Sequence, residues 1–250
     1  LYTPNHGRPI MQDPRVRQAL TLAVDRWGGS QHLSRIAIVK TVGGIGFPGH
    51  PLSATKAELV PLKGYGTDLK AARAEAKKLL AEAGKSDLKF ELMNRGTDQP
   101  YKIVGTWLIG QWRQIGLEVT QRVEPTKTFY NELRNTKNFD VSLDFNCQSV
   151  VNPLVDTSKF VGSAGNNYAN MKGQDQQLEE VYEQMLQAPE EAKQRELMRV
   201  MEKRALSDQA HMGVTLWWYK INPHRSYVKG WKIAPSHYLN QSLDQVWLDK

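Results

Sequence analysis

Between Leu88 and Phe145 the hydrophobic period of the chain switches repeatedly, and this constrains the fold more than any other feature. Leu88, Phe90 and Leu92 alternate with Lys89, Glu91 and Met93, the two-residue period of a strand with one covered face. Val104, Trp107, Leu108 and Ile115 then recur at helical spacing over about Tyr101 to Ile115, where Gly116 ends the pattern. Leu117, Val119 and Val123 alternate again, Pro125 breaks them, Thr128 to Arg134 reads as a short helix, and Phe139, Val141, Leu143 and Phe145 make a third strand. A β-α-β-α-β series implies an open sheet whose loops meet at one edge, so the expected class is α/β, an open mixed sheet with flanking helices.

The flanking segments carry helix signals of their own. Asp13-Pro14 is a start signal, because Asp caps free N–H groups and Pro fits the first helical position. Val16, Ala19, Leu20, Ala23 and Val24 form the buried stripe that follows, with Arg15, Arg17 and Arg26 expected on other faces and Gly28-Gly29 expected to end the helix. Asp68 caps a second helix that runs to Gly84 with Leu69, Ala72, Ala76, Leu79, Leu80 and Ala83 on one face. Two more are expected at Gln176 to Gln187 and Glu190 to Ser207, with Leu178, Val181, Tyr182, Met185, Leu197, Val200, Met201 and Ala205 inward. Lys40 to Pro61 is rich in Gly and Pro and reads as a long loop, with Gly43-Gly44-Ile45-Gly46 a plain turn, since no Lys-Ser/Thr of a P-loop follows. The last forty residues are aromatic and strand-like.

Composition narrows the function. The 250 residues carry 33 Lys+Arg against 26 Asp+Glu, a formal charge of +7, and the whole excess lies before residue 126. No basic run exceeds two residues, so the clustered cations that grip a phosphate backbone are missing and a nucleic-acid partner is not expected. A single Cys excludes a disulfide scaffold within the chain. No run approaches the ~20 apolar residues of a membrane helix. The chain starts at Leu1 rather than Met, so processing, truncation or a missing upstream part is expected.

Chemistry-bearing clusters are sparse. The six His residues show no metal-type pair at short helical spacing, and neither a metal nor a cofactor is expected. His6 and His50 read as solvated or capping loop residues. An enzyme could use Cys147, placed directly after a strand, or Asp140 and Asp144, which share one strand face as a carboxylate pair. No catalytic signature surrounds either, so no catalytic residue is assigned and a hydrolase-like enzyme is only the alternative reading. More suggestive is the amide-rich loop of Asn146, Gln148, Ser149, Asn152, Asn166 and Asn167, followed later by Trp217-Trp218-Tyr219. Amides and aromatics suit reversible recognition, because they hydrogen-bond and stack without proton transfer.

Several segments, in order, resemble the family 5 extracellular solute-binding proteins of ABC importers, the oligopeptide, dipeptide, nickel and opine group. Asp13-Pro-Arg-Val-Arg-Gln-Ala-Leu-Thr-Leu-Ala-Val-Asp-Arg26 is similar to the family's signature helix, and Ala76-Lys-Lys-Leu-Leu-Ala-Glu-Ala-Gly84 to its Ala-Lys-x-Leu-Leu-x-Glu-Ala-Gly helix. Gln114-Ile-Gly-Leu-Glu-Val119, Asn138-Phe-Asp-Val141 and Val228-Lys-Gly-Trp231 resemble its helix-to-strand turn, its Phe-Asp strand and its closing segment. Such proteins are about twice this long, so the resemblance implies a C-terminal half: residues 1–9 as crossover from a missing N-terminal lobe, 10–211 as the C-terminal lobe, and 212–250 as a return segment packing on the first lobe.

The resemblance further implies a two-lobed (type II) periplasmic binding protein, located in the periplasm or outside the cell at the membrane. It would be no enzyme. It would close on a small polar solute, peptide, opine or sugar-like, and deliver it to a permease in the inner membrane. Tyr2 falls near the hinge segment, Trp217, Trp218 and Tyr219 on an aromatic return strand, and Asn146, Cys147, Gln148 and Ser149 in a loop that faces ligand in peptide binders; Asn167 joins them as a candidate contact. Peptide binders carry an acidic residue in that loop to pair with the peptide's α-amine. Aligned on Cys147 and Pro153, this chain has Ser149 there, which points to a sugar, an opine-like compound or another polar solute.

Overall fold

The computed structural model describes residues 1–146, 152–218, 221, 223–232 and 243–249. Its elements, in chain order, are β1 (Tyr2–Pro4), α1 (Pro9–Gln12), α2 (Pro14–Leu22), α3 (Arg26–Leu33), β2 (Val39–Thr41), α4 (Lys56–Leu59), α5 (Leu69–Glu82), β3 (Lys89–Arg95) and α6 (Ile103–Arg113). There follow β4 (Glu118–Glu124), α7 (Thr126–Asn131), β5 (Val141–Leu143), α8 (Pro153–Thr157), α9 (Gln176–Gln187), α10 (Glu191–Glu202), β6 (Trp217–Trp218), β7 (Val228–Lys229) and β8 (Trp247–Leu248).

Among the described residues the main sheet has the order β1-β5-β3-β4. Strand β3 pairs in parallel with both β4 and β5, and β1 closes the β5 edge antiparallel. The sheet is therefore mixed and open, and the β-α-β-α-β series builds its parallel part. Helices cover both of its faces. One core joins Val16, Ala19, Leu20, Leu80, Phe90, Leu92, Leu108 and Trp112 from α2, α5, β3 and α6. On the opposite face Met93 packs with Phe129, Leu133 and Phe139 below α7. This double coverage is why Met93, placed by alternation on an outer face, is fully buried, whereas Val123 on the edge strand β4 is exposed. A further core gathers α9, α10 and the segment around Ile45, Leu59 and Tyr65; Val200 of α10 faces solvent instead.

Side-chain caps explain the clearest helix starts. Asp13, Asp68 and Asp175 accept from the main-chain N–H of Arg15, Ala71 and Leu178. The stop expected at Gly28-Gly29 is wrong: α2 ends at Leu22, and both glycines lie inside α3, capped by the Asp25 carboxylate on Gly28 N–H. The glycines serve close packing, for a Cβ on Gly29 would strike the Trp107 ring. Lys40 to Pro61 holds strand β2 and helix α4, the latter with a full capping box between Thr55 and Glu58.

Two arginines expected on outer faces are buried. Arg17 donates to the Met11, Gln12 and Gln209 carbonyls, and burial pulls its guanidinium down to about 10. Arg26 donates to the carbonyls of Val214, Thr21 and Gly64 and to the Thr21 hydroxyl, with its guanidinium 4.5 Å from the Tyr65 ring centroid. These bonds tie α2, α3, the Gly64 turn and the segment leading into β6 into one unit.

Candidate functional site

Parallel strands of an open α/β sheet deliver their following loops to one edge, and ligands of such folds bind there. Here β3 ends at Arg95, β4 at Glu124 and β5 just before Asp144, Phe145 and Asn146. Rings gather at this edge. Phe145 and Trp218 have centroids 5.8 Å apart, and Tyr101 lies 5.9 Å from Trp218 and 6.3 Å from Phe145. The Arg95 guanidinium covers the Tyr101 ring at 4.2 Å and the Phe145 ring at 5.3 Å, and donates to the Tyr101 hydroxyl at 2.5 Å.

Beside these rings opens a solvent-open recess of about 40 Å³. Phe145, Asn146, Trp217 and Trp218 form one side, and Ile45, Phe160, Val214 and Leu216 line the rest together with Leu1 and Gly44. Strand pairing places the tryptophans, since β6 runs antiparallel to β2 with Val39 opposite Trp218 and Thr41 opposite Trp217. The floor is held by Glu202. Its buried carboxylate accepts from Ile45 N–H at 2.7 Å and pairs with Arg199 at 3.0 Å, while Trp217 Nε1 donates to the Gly44 carbonyl at 3.1 Å. Burial pushes the Glu202 carboxyl up, and Arg199 partly offsets this. The Gly43 to Gly46 loop is thus no anion cradle, because a carboxylate of the chain itself already occupies its Ile45 N–H.

Asp144 and Lys159 are both nearly buried, 3.8 Å apart, and Lys159 Nζ donates to the Phe145 carbonyl at 3.2 Å. They fix the backbone that presents Phe145. The alternative carboxylate pair fails on distance. Asp140 and Asp144 bracket β5, four residues or about 13 Å apart along a strand, beyond the roughly 5–9.5 Å of working carboxylate pairs. Asp140 is also occupied, accepting from Glu91 N–H at 3.1 Å and lying 3.4 Å from Arg8.

Of the residues singled out in the sequence, Asn146, Trp217 and Trp218 meet at the recess. Tyr2 does not. It is 1% exposed, packed edge-on against Trp112 at 5.3 Å, because β1 sits between β5 and the Gly213 bridge. Asn167 is buried away from the recess, its amide donating to the Lys159 carbonyl and accepting from Ala169 N–H. Cys147, Gln148, Ser149 and Tyr219 lie outside the described residues.

The other amides are committed too. Asn146 donates to the Asp156 carbonyl, Asn152 caps α8 on Leu154 N–H, and Asn166 bonds Ser158. Most of these amides tie down loops, and of them only Asn146 lines the recess. His6, expected in solvent, is 2% exposed with Nδ1 3.0 Å from Gln174, whereas His50 does cap, accepting from Leu52 N–H. Periodicity alone did not single out Arg95, Tyr101 and Phe145 as site residues; the carboxyl-edge rule for parallel strands is the signal that finds them.

An open mixed sheet layered by helices, with its recess at the carboxyl edge, is the lobe architecture of the periplasmic binding proteins. Residues 1–168 match the family described as bacterial extracellular solute-binding proteins, family 5 Middle, and the chain belongs to that family. No curated protein sequence matches it. Among solved structures, the Escherichia coli murein tripeptide binding protein MppA superposes with a TM-score of 0.75 at 19% identity, covering 92% of this chain and 44% of that one. Burkholderia pseudomallei OppA gives 0.77 at 17%, covering 100% and 48%. Haemophilus influenzae OppA in complex with RPPGFSPFR gives 0.74 at 18%, covering 100% and 48%. The chain spans about half the length of these proteins, and at such identities the likeness shows the fold.

Proposed function

We propose that this chain supplies one lobe of the solute-binding component of an ABC importer, which takes up a peptide-like or other small solute outside the cytoplasm and passes it to a membrane permease. Family membership supports the role, and the observation that carries the site is the recess at the carboxyl edge of the parallel strands, walled by Phe145, Trp217 and Trp218. The similar solved structures include a murein tripeptide binding protein and one in complex with RPPGFSPFR, which favours a peptide-like solute here. In this reading residues 1–9 cross from the other lobe and 212–250 return towards it. Among the described residues of that return, Leu243, Trp247 and Leu248 are exposed apolar side chains, as a segment awaiting a partner surface would present.

The test uses the protein with both lobes present. Because two tryptophans wall the recess, titration with tripeptides is expected to change intrinsic fluorescence saturably, with intact peptide recovered afterwards by mass spectrometry. Recovery of cleaved peptide would turn the reading towards an enzyme. A protein that binds no peptide and no small polar solute would end it.

A further inference from the structure

Away from the recess, the two ends of the lobe touch at a pair of histidines. Tyr2 N–H donates to the Gly213 carbonyl at 2.9 Å and Gly213 N–H to the Tyr2 carbonyl at 3.0 Å, so the start of the chain and the segment after α10 are bonded side by side. Further along the same two segments the rings of His6 and His211 lie 5.1 Å apart, and both are buried. Their partners fix one proton on each. Gln174 Oε1, 3.0 Å from His6 Nδ1, can only accept. The Asp175 carboxylate, 2.6 Å from His211 Nε2, also accepts from Arg204 at 2.7 Å and from Leu178 N–H at 3.0 Å. One proton on the bonded nitrogen satisfies each contact. His6 Nε2 and His211 Nδ1 remain buried with no hydrogen-bond partner among the described residues.

The charges around the pair oppose a second proton. Arg17 of α2 acts on both rings and Arg204, beyond α10, on His211, against the single carboxylate of Asp175 at the start of α9. Other nearby charges are engaged elsewhere: Asp13 by Arg15, Arg8 by Asp140 and Asn138, and Asp208 by Lys203. Burial pulls the His6 imidazole down to about 3, with Arg17 and His211 adding to it and Gln174 and the His211 backbone opposing. Burial also lowers His211, with Asp175 opposing and Arg17 and Arg204 adding.

We propose that His6 and His211 form an acid-released latch: uncharged, they pack the chain's first segment against the start of its return segment, and a proton on either ring separates the two and loosens the joint between the lobes. The proposal rests on the reading above of residues 1–9 and 212–250 as the interlobe segments. A ring that is uncharged when latched and titrates at about 6.5 once freed holds the latch above that pH. Its hold is lost as pH falls, and for one ring opening rises roughly thirtyfold between pH 7.5 and pH 5.0.

The experiment is hydrogen exchange of the two-lobed protein without solute at pH 7.5 and pH 5.0, corrected for intrinsic rates. It follows the bridged amides of Tyr2 and Gly213, with Leu92 in the middle of the main sheet as reference. Protection at Tyr2 and Gly213 is expected to fall at least tenfold relative to Leu92, about a third of the full linkage value for one ring. In the double variant His6→Asn/His211→Gln the side-chain amides keep donors for Gln174 and Asp175 but take up no proton, and the fall is expected to be less than twofold. An equal fall at Leu92 would mean general acid unfolding and overturn the latch, as would a double variant as acid-sensitive as the parent. A second measurement needs no variant: nuclear magnetic resonance titration of the parent's ring protons. Either ring titrating near 6.5 while Tyr2 and Gly213 stay protected would overturn the proposal. Because no solute is present, failure to bind any peptide or polar solute would end the binding reading without altering these rates.

Discussion

Replacing Arg26 with Met tests whether the buried guanidinium joins the recess to the rest of the lobe. The Met side chain keeps most of the apolar stem and removes the fork. Left behind are the Val214 carbonyl, met at 2.8 Å by Nε, the Gly64 and Thr21 carbonyls, met by Nη1 at 2.7 and 3.1 Å, and the Thr21 hydroxyl, met by Nη2 at 2.9 Å. The hydroxyl can rotate to another acceptor, but the carbonyls cannot move and Arg26 itself is 1% exposed, so water does not replace it. Hydrogen bonds to charged donors contribute about 1.5–3 kcal/mol each, and stranding a buried acceptor costs about 1–3 kcal/mol. Removing a buried charge returns part of that. The Thr21 carbonyl keeps the Val24 N–H, so the balance is a loss of roughly 2 kcal/mol, two stranded carbonyls at about 1 kcal/mol each. For a chain of this size it corresponds to a fall in Tm of roughly 4–8 °C. Thermal unfolding followed by far-ultraviolet circular dichroism reads this directly. Arg26→Lys keeps the charge but reaches fewer acceptors, so its Tm should fall between parent and R26M. Peptide affinity should fall too, because Val214 lines the recess. An R26M protein melting within about 2 °C of the parent, less than 1 kcal/mol at this size, would refute the claim that these bonds join the segments.

Asp156 offers a pH test: burial pushes its carboxyl from 3.8 up to about 8, with Lys159 opposing. A raised carboxyl pKa makes its contribution to stability greatest below the unfolded value and lost as pH rises through about 8. Asp156→Asn should therefore gain on the parent between pH 5 and pH 9, by at least roughly 1 kcal/mol, and parallel melting curves across that range would contradict the burial argument. Gly64 sits at φ +80°, and a Cβ there would collide with the Thr21 carbonyl that also receives Arg26. Gly64→Ala should cost more than about 1 kcal/mol; a chemical denaturation midpoint equal to the parent's would show that the turn relaxes freely.

How much was legible in the sequence depends on the range of the interaction. Asp13, Asp68 and Asp175 cap helices through N–H groups two or three residues away, so α2, α5 and α9 could be read locally. The β-α-β-α-β series was readable for the same reason, because each period change is local and its parallel pairing follows from connectivity. The ordered motifs, from the Asp13 helix to the Phe-Asp strand, also held the family. What distance in sequence conceals is which polar groups are inside. Arg26 lies 188 residues from the Val214 carbonyl it meets, and Glu202 lies 157 from Ile45. No window of sequence shows such partners, and without a partner an arginine reads as solvated. For the same reason the amides of Asn146, Asn152, Asn166 and Asn167 suggested a polar pocket until the fold gave each one a structural acceptor or donor. Composition and periodicity thus determined the class of fold and the edge to which the loops of its parallel strands run. Only tertiary packing decided which side chains line that edge and which polar groups are buried behind it, because burial is a property of neighbours brought together by the sheet and not of residues adjacent in the chain.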